Sequence, residues 1–218
     1  LAQEPVHPAQ FPQLRFFASH GAPLAPEHAR LVEERFGARI VQAYGTSDYG
    51  GIAATSIDDP PEVRWGTVGK PLHGTELRVV DDYGRDVPAG TVGRLLVRGP
   101  HALGGYYRAG ASTRESWRTG YFDLQEYGWQ APDGTLTLVG RARDLIIRGG
   151  QNIFPSDVEQ ALARHPDVAE VAVIGMPDAE LGERVCAFVV PRDGRMPTLA
   201  SIVRFLRQEG LASYKLPE

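Results

Sequence analysis

The chain reads as an α/β protein followed by a small α+β unit, and three observations predict it. A strand–helix–strand pattern occupies residues 14–43. Short apolar runs separated by Asp/Gly/Pro turns fill residues 66–140. After Leu145 come two amphipathic helices and two strands. The first pattern suits a parallel βαβ unit, the second a small antiparallel sheet or barrel, and the third a compact α+β module.

Taken in order, residues 14–19 (LRFFAS) form the first predicted strand. Residues 26–36 form a helix opened by Pro26, with Ala29, Val32 and Phe36 on one face. A second strand covers 39–43, and residues 44–51 (YGTSDYGG) form the loop at its carboxyl end, where open α/β sheets place ligands. Strands follow at 75–80 and 92–98, separated by turns at 81–84 and 88–90, and another at 136–139 after Asp133-Gly134. Gly149-Gly150 turns a short hairpin into a helix at 156–164, whose Val158, Ala161 and Leu162 point inward. Strands at 170–174 and 184–190 precede a last helix. That helix is capped by Thr198, buries Leu199, Ile202, Val203 and Leu206, and stops at Gly210.

Composition narrows the function. A net charge of −4 argues against nucleic acid or an anionic membrane as the main partner. No run of 18 apolar residues is present, so no spanning helix is expected, and residues 1–15 show no secretory signal. The single cysteine, Cys186, excludes an internal disulfide, fits a reducing, cytoplasmic setting, and lies in an apolar strand pattern that predicts a buried, inert thiol. The histidines have no ligand-like spacing to one another or to Cys186, so no zinc site is expected. Of 23 basic residues only Lys70 and Lys215 are lysines, so lysine chemistry has two candidates.

Several short motifs carry chemistry as well as a plain structural reading. In YGTSD (44–48) a glycine turn exposes N–H groups and adds Ser47 and Asp48. Such a turn can hold phosphate oxygens and a Mg²⁺ that bridges them, or simply be a turn. His20-Gly21-Ala22-Pro23 is a strand-to-helix connection narrow enough for a planar ring to lie on its backbone. Arg141 and Asp144 read as a surface ion pair, and Gly149-Gly150 as a hairpin turn with positive φ. The aromatic residues Trp117, Tyr121, Phe122, Tyr127 and Trp129 read as packing, because no basic residues interleave them as a nucleic-acid surface requires.

The order of these blocks is more specific than any one of them. GAPL, YGTSD, VGKPL, GRLLVRGP, RTGYFDL and GRARDLIIRGGQNIFPSDVE (140–159) together resemble the adenylate-forming superfamily, the acyl-CoA synthetases in particular. The resemblance runs from about Phe16 to the last residue. It implies that residues 1–143 are the end of a large α/β AMP-binding domain with a small β-barrel-like subdomain. Residues 144–218 would be a small mobile C-terminal domain, with the hinge at Asp144. The implied reaction has two steps. ATP, with Mg²⁺, activates a fatty, alicyclic or aromatic carboxylic acid as its acyl-adenylate, and the thiol of coenzyme A then displaces AMP.

Carried over by position, Gly21, Ala22, Pro23 and Tyr44 resemble adenine contacts, and Gln42, Ala43 and Gly45 neighbours of the acyl-adenylate. Ser47 matches the phosphate-binding hydroxyl and Asp48 the metal carboxylate, one methylene shorter than the family's glutamate. Arg141 matches the ribose- or phosphate-binding arginine, Asp144 the hinge residue, and Gly149 and Gly150 the lining of the thiol's path. His20 would border the acyl pocket. The family's Thr-Gly-Asp, whose aspartate grips the ribose, is here Thr119-Gly120-Tyr121-Phe122-Asp123, read as a two-residue insertion with Asp123 as the ribose ligand. The family's phosphate loop would lie before Leu1 and its late lysine after Glu218, a motif that Lys215 does not match. The sequence is therefore expected to be part of a longer enzyme and, alone, an incomplete catalyst that binds AMP weakly. A carrier-protein thiol as acceptor, or a non-catalytic nucleotide-binding or interaction role, are the alternatives.

Overall fold

The first unit is built on a βαβ turn of the chain. In the computed structural model, which describes residues 11–22 and 24–218, β1 (Phe16–Ser19) lies parallel to β2 (Arg39–Thr46), with Phe16 opposite Arg39 and Ser19 opposite Gln42. Helix α1 (Pro26–Phe36) crosses between them as expected. Pro26 starts it, and Gly37, at φ 65°, closes it by donating its N–H to the Glu33 carbonyl. Phe36 turns its ring edge onto Phe17 at 5.0 Å, which seats the helix on the strand. Strands β3 (Gly50–Ala54) and β4 (Lys70–Pro71) complete a four-stranded sheet in the order β1-β2-β3-β4. The expected loop at 44–51 is thus shorter than the sequence predicts: β2 runs to Thr46, β3 resumes at Gly50, and the turn is 47–49.

A second sheet of five antiparallel strands realises the β-rich middle. It contains β5 (Glu76–Val80), β6 (Gly93–Arg98), β7 (Trp117–Arg118), β8 (Tyr121–Gln130) and β9 (Leu136–Arg141), ordered β5-β6-β8-β7 with β9 on β8. Tyr44, Tyr49, Ile52, Val79, Leu95, Val97, Phe122, Leu124 and Leu136 form one buried cluster shared by the two sheets. Two short helices, α2 (Pro61–Gly66) and α3 (Gly110–Glu115), lie in segments whose sequence shows no clear period.

One buried charged group joins α1, β2 and α2. Arg64, 4% exposed, pairs with Glu33 through both guanidinium nitrogens and also donates to the carbonyls of Asp59 (2.9 Å) and Ile40 (3.2 Å). Glu33 in turn accepts the Ile40 N–H at 2.7 Å. Burial pushes the Glu33 carboxyl up, but the hydrogen bonds from Arg64 and Ile40 and the guanidinium charge outweigh it and hold the group below its ordinary 4.5.

The second unit begins at Val139, within β9 and upstream of Asp144. Ser156 donates its hydroxyl to the Val139 carbonyl at 2.5 Å, which ties this start to the first turn of α4 (Pro155–Leu162). Strands β10 (Ile146–Arg148), β11 (Gln151–Ile153), β12 (Val168–Asp178) and β13 (Gly182–Pro191) form a sheet in the order β11-β10-β13-β12. Helices α4 and α5 (Leu199–Gln208) cover one face of it, burying Ile146, Ile153, Val158, Leu162, Val185, Ile202 and Leu206. Thr198 caps α5 by accepting the Ser201 N–H at 3.2 Å.

Two expectations about this unit change. Leu199 is 52% exposed, because the buried stripe of α5 runs through Ile202 and Leu206 and the first turn projects past it. Cys186 is half-buried: it pairs with Ile174 on the uncovered face of the sheet, beside the exposed Met176 and Phe188. Among the described residues, no helix is long and apolar enough to cross a membrane.

Replacing Arg64 with leucine will leave Glu33 charged and enclosed, lowering the stability of the first unit by about 3 kcal/mol in denaturant unfolding. The sign of the pH effect follows from the lowered carboxyl. The pair stabilises fully above the ordinary glutamate value and loses its contribution as pH falls through the lowered one. The Glu33→Gln variant will therefore show a shallower loss of melting temperature than the parent between about pH 5 and pH 3.

Candidate active site

The carboxyl end of the parallel pair gathers most of the residues that the sequence singles out. Because Ser19 pairs with Gln42, the bend at His20, Gly21 and Ala22 opens at the same sheet end as Ala43–Asp48. His20, Gly21 and Ala22 are exposed; Pro23 lies outside the described residues. Ala43 pairs with Ala54 and Tyr44 with Ala53, and a register shift follows between Tyr44 and Gly45.

That shift depends on Gly45. A Cβ there would stand 2.3 Å from the Gly50 carbonyl oxygen, so only glycine lets the two strands approach this closely. The turn beyond it is closed by Thr46, whose carbonyl and hydroxyl accept the Tyr49 N–H at 3.3 and 3.2 Å. Ser47 is left exposed at the rim of an open depression of about 400 Å³, lined also by Tyr49, Gly50, Gly51, Leu72 and His101. The Asp48 carboxylate is half-buried and accepts the Tyr106 hydroxyl at 3.0 Å, while its carbonyl accepts the Leu103 N–H at 2.8 Å. Burial, with a further contribution from Asp48, pushes the Tyr106 phenol up, so Tyr106 stays the donor in this pair.

Two expected site residues face elsewhere. The Gln42 amide turns inward and donates to the carbonyls of Arg64 and Trp65, both at 3.0 Å, while its backbone N–H goes to Thr55. Its side chain holds α2 on the sheet rather than addressing a ligand. Asp123 is more deeply enclosed. Its carboxylate is fully enclosed and paired with Arg94 (2.9 Å) and Arg118 (2.8 Å), and its other oxygen accepts the Gln125 N–H at 2.9 Å. The side chain is at 0% exposure and these three contacts hold the strand locally. Just beyond it β8 bulges, with residues 124–126 opposite the single residue Leu95. A different carboxylate, Glu126, reaches β2 and accepts the Tyr44 hydroxyl at 2.5 Å.

In the second unit, Arg141 ends β9 and Asp144 sits in an exposed helical turn, Ala142–Asp144, where its carboxylate pairs with Arg143 at 3.5 Å. Gly149 and Gly150 are the two-residue turn between β10 and β11. Both have positive φ, 56° and 79°, as a tight hairpin of this kind requires. The Gly149 N–H is held by the Leu181 carbonyl at 2.7 Å.

Tyr106, His101 and Glu126 are the site residues that sequence reasoning misses. Tyr106 lies 58 positions from Asp48 and Glu126 lies 82 from Tyr44, so no local spacing announces them. For a cation, the donor set is sparse: among the described residues no three His, Cys, Asp or Glu side chains form a metal-binding group. One carboxylate, Asp48, fits Mg²⁺ only as an ion that takes its other oxygens from phosphate and water.

Comparison with known proteins identifies the family. The model of the AMP-binding enzyme family matches residues 1–107, and that of the AMP-binding enzyme C-terminal domain matches 157–218. The chain belongs to the adenylate-forming superfamily. It is 40% identical over 200 residues to a 2,3-dihydroxybenzoate-AMP ligase of Bacillus subtilis, covering 91% of this chain and 37% of that protein. With a 2-hydroxy-7-methoxy-5-methyl-1-naphthoate–CoA ligase of Streptomyces carzinostaticus it shares 41% over 197 residues, 89% of this chain and 35% of the ligase. ATP-bound MatB from Rhodopseudomonas palustris superposes with a TM-score of 0.93 at 32% identity, over all of this chain and 43% of MatB. The adenylate-forming chain thus spans well under half the length of these relatives.

Gly45→Ala will force the Gly50 carbonyl away and open the 47–49 turn. We expect a loss of about 2 kcal/mol and faster hydrogen exchange at the Tyr49 amide, read by native-state exchange.

Proposed function

We infer that this chain is part of an ATP-dependent acid–thiol ligase that activates an aromatic carboxylic acid as its acyl-adenylate and transfers it to coenzyme A. The observation that carries the reading is the end of β2 and the 47–49 turn, which sets an exposed Ser47 hydroxyl beside a restrained Asp48 carboxylate at the carboxyl end of a parallel strand pair. Ser47 donates to a phosphate oxygen, and Tyr44 with the Gly21-Ala22 bend contacts the adenine. Asp48, steadied by Tyr106, would hold Mg²⁺, whose charge offsets that of the phosphates. The acid carboxylate then attacks the α-phosphate and pyrophosphate leaves, giving the acyl-adenylate, from which the thiol of coenzyme A displaces AMP; the protein contributes positioning and charge stabilisation.

The aromatic assignment rests on the depression next to Ser47. It is lined by Tyr49, Gly50, Gly51, Leu72 and His101, a mainly apolar and aromatic set. Such a lining suits an apolar or aromatic group. The acids in the names of the two curated relatives, a benzoate and a naphthoate, support the same class. In the second unit, Asp144 is the hinge residue, Arg141 binds the nucleotide, and Gly149-Gly150 leaves the thiol's path open.

ATP–pyrophosphate exchange by the full-length protein across a panel of acids tests this. Benzoate- or salicylate-type acids should support exchange at least tenfold faster than octanoate. A preference for octanoate would reject the aromatic class, and no exchange with any acid would reject the ligase. Coenzyme A should then yield the thioester, whereas exchange without thioester would point to a carrier-protein thiol.

Arg141→Ala provides a separate check. It should raise the KM for ATP by about tenfold, the loss of one charged hydrogen bond. An unchanged KM would return Arg141 to the surface.

A further inference from the structure

The β10–β11 hairpin that carries Gly149-Gly150 joins its sheet through a short and irregular seam. In register, β10 meets β13 at one pair, Arg148 opposite Gly182. On the turn side of that pair the Gly149 N–H donates to the Leu181 carbonyl at 2.7 Å. On the other side Ile147 comes opposite Glu183, and a regular antiparallel ladder would bond the Ile147 N–H to the Glu183 carbonyl. The Glu183 carboxylate takes that place instead and accepts the Ile147 N–H at 2.7 Å.

The carboxylate reaches this position across a neighbouring strand. Gly175 of β12 pairs with Val185, diagonal to Glu183. A Cβ on Gly175 would stand 2.7 Å from one Glu183 carboxylate oxygen and 3.1 Å from the other. Gly175 has no left-handed φ, so the backbone does not ask for glycine there. The carboxylate does. One side chain thus packs on β12, belongs to β13 and holds β10, two residues before the Gly149-Gly150 turn.

We propose that Glu183 is a positioning residue for the thiol-transfer step. Seated over Gly175, it fixes where β10 carries the Gly149-Gly150 turn. The inference rests on the reading that this turn leaves the thiol's path open. Adenylation draws on Arg141 and the end of β2, so loosening the hairpin separates the two half-reactions. A misplacement of about 1 Å is enough to slow a step that depends on alignment by about 100-fold.

The test uses the full-length protein and follows ATP–pyrophosphate exchange and thioester formation with coenzyme A side by side. Glu183→Ala should slow thioester formation about 10- to 100-fold while leaving pyrophosphate exchange within about twofold of the parent. It should also speed hydrogen exchange at residues 146–150 by about tenfold, read by mass spectrometry. Gly175→Ala should reproduce both effects from another strand. Its added methyl meets the flexible end of Glu183, so the carboxylate moves and the fold is kept. Glu183→Gln retains an acceptor for the Ile147 N–H and should stay within about threefold of the parent. Both half-reactions slowed alike, a Gly175→Ala protein that matches the parent, or a glutamine variant as impaired as the alanine one would overturn the assignment. If the parent exchanges pyrophosphate and Glu183→Ala forms thioester at the parent's rate, only this inference fails. If the parent exchanges pyrophosphate with no acid, the ligase reading fails, and hydrogen exchange at 146–150 still decides whether Glu183 holds the hairpin.

Discussion

The Arg64 guanidinium is the point from which the first unit is organised. It projects from α2 toward α1 and the start of β2, and its partners are Glu33 of α1, the Ile40 carbonyl of β2 and the Asp59 carbonyl just before α2. A buried ion pair is tolerable only when its remaining donors are satisfied, and here the backbone of each neighbouring element satisfies them. Gln42 adds a second tie two residues further along β2 by capping the carbonyls that end α2. Everything distal on β2, Tyr44 to Asp48 included, takes its position from this end. The site is held from below by polar contacts and from the side by the apolar cluster around Tyr49 and Ile52.

Rigidity of that kind suits a reaction in which the protein contributes mainly alignment. The 47–49 turn closes onto Thr46, Gly45 brings the two strands together, and Tyr106 reaches across from a distant loop to hold Asp48. The result is a short carboxylate with little freedom. A glutamate on the same backbone would extend one methylene further; the tyrosine contact compensates by fixing the aspartate's direction.

Much of the scaffold was legible in the sequence because its signals are local. Pro26 and Gly37 bracket α1, Thr198 caps α5, and the glycine pair at 149–150 announces a hairpin; each uses chemistry within a few residues. The parallel βαβ unit and the order of the motif blocks were readable for the same reason. What was hidden depends on partners far away in the chain. Gln42 looks like a site residue until the end of α2, 22 residues on, takes its amide. Asp123 gives no local sign that Arg94 and Arg118 enclose it. Cys186 sits in an apolar run, yet pleat parity carries it to the uncovered face with Ile174.

The bulge in β8 also bears on how such a strand can change over time. Side chains alternate with a period of two, and the bulge sets three residues against one, so Tyr127 and the residues after it keep the faces they would hold in an unbulged strand. Gly128 is bound to its face, since a Cβ there would lie 2.6 Å from the Thr137 carbonyl oxygen. Length variation at 124–126 in steps of two would therefore pass without repacking the sheet, whereas a single-residue change would bring Tyr127 or Trp129 against that carbonyl. Even-numbered insertions are the ones this strand can inherit.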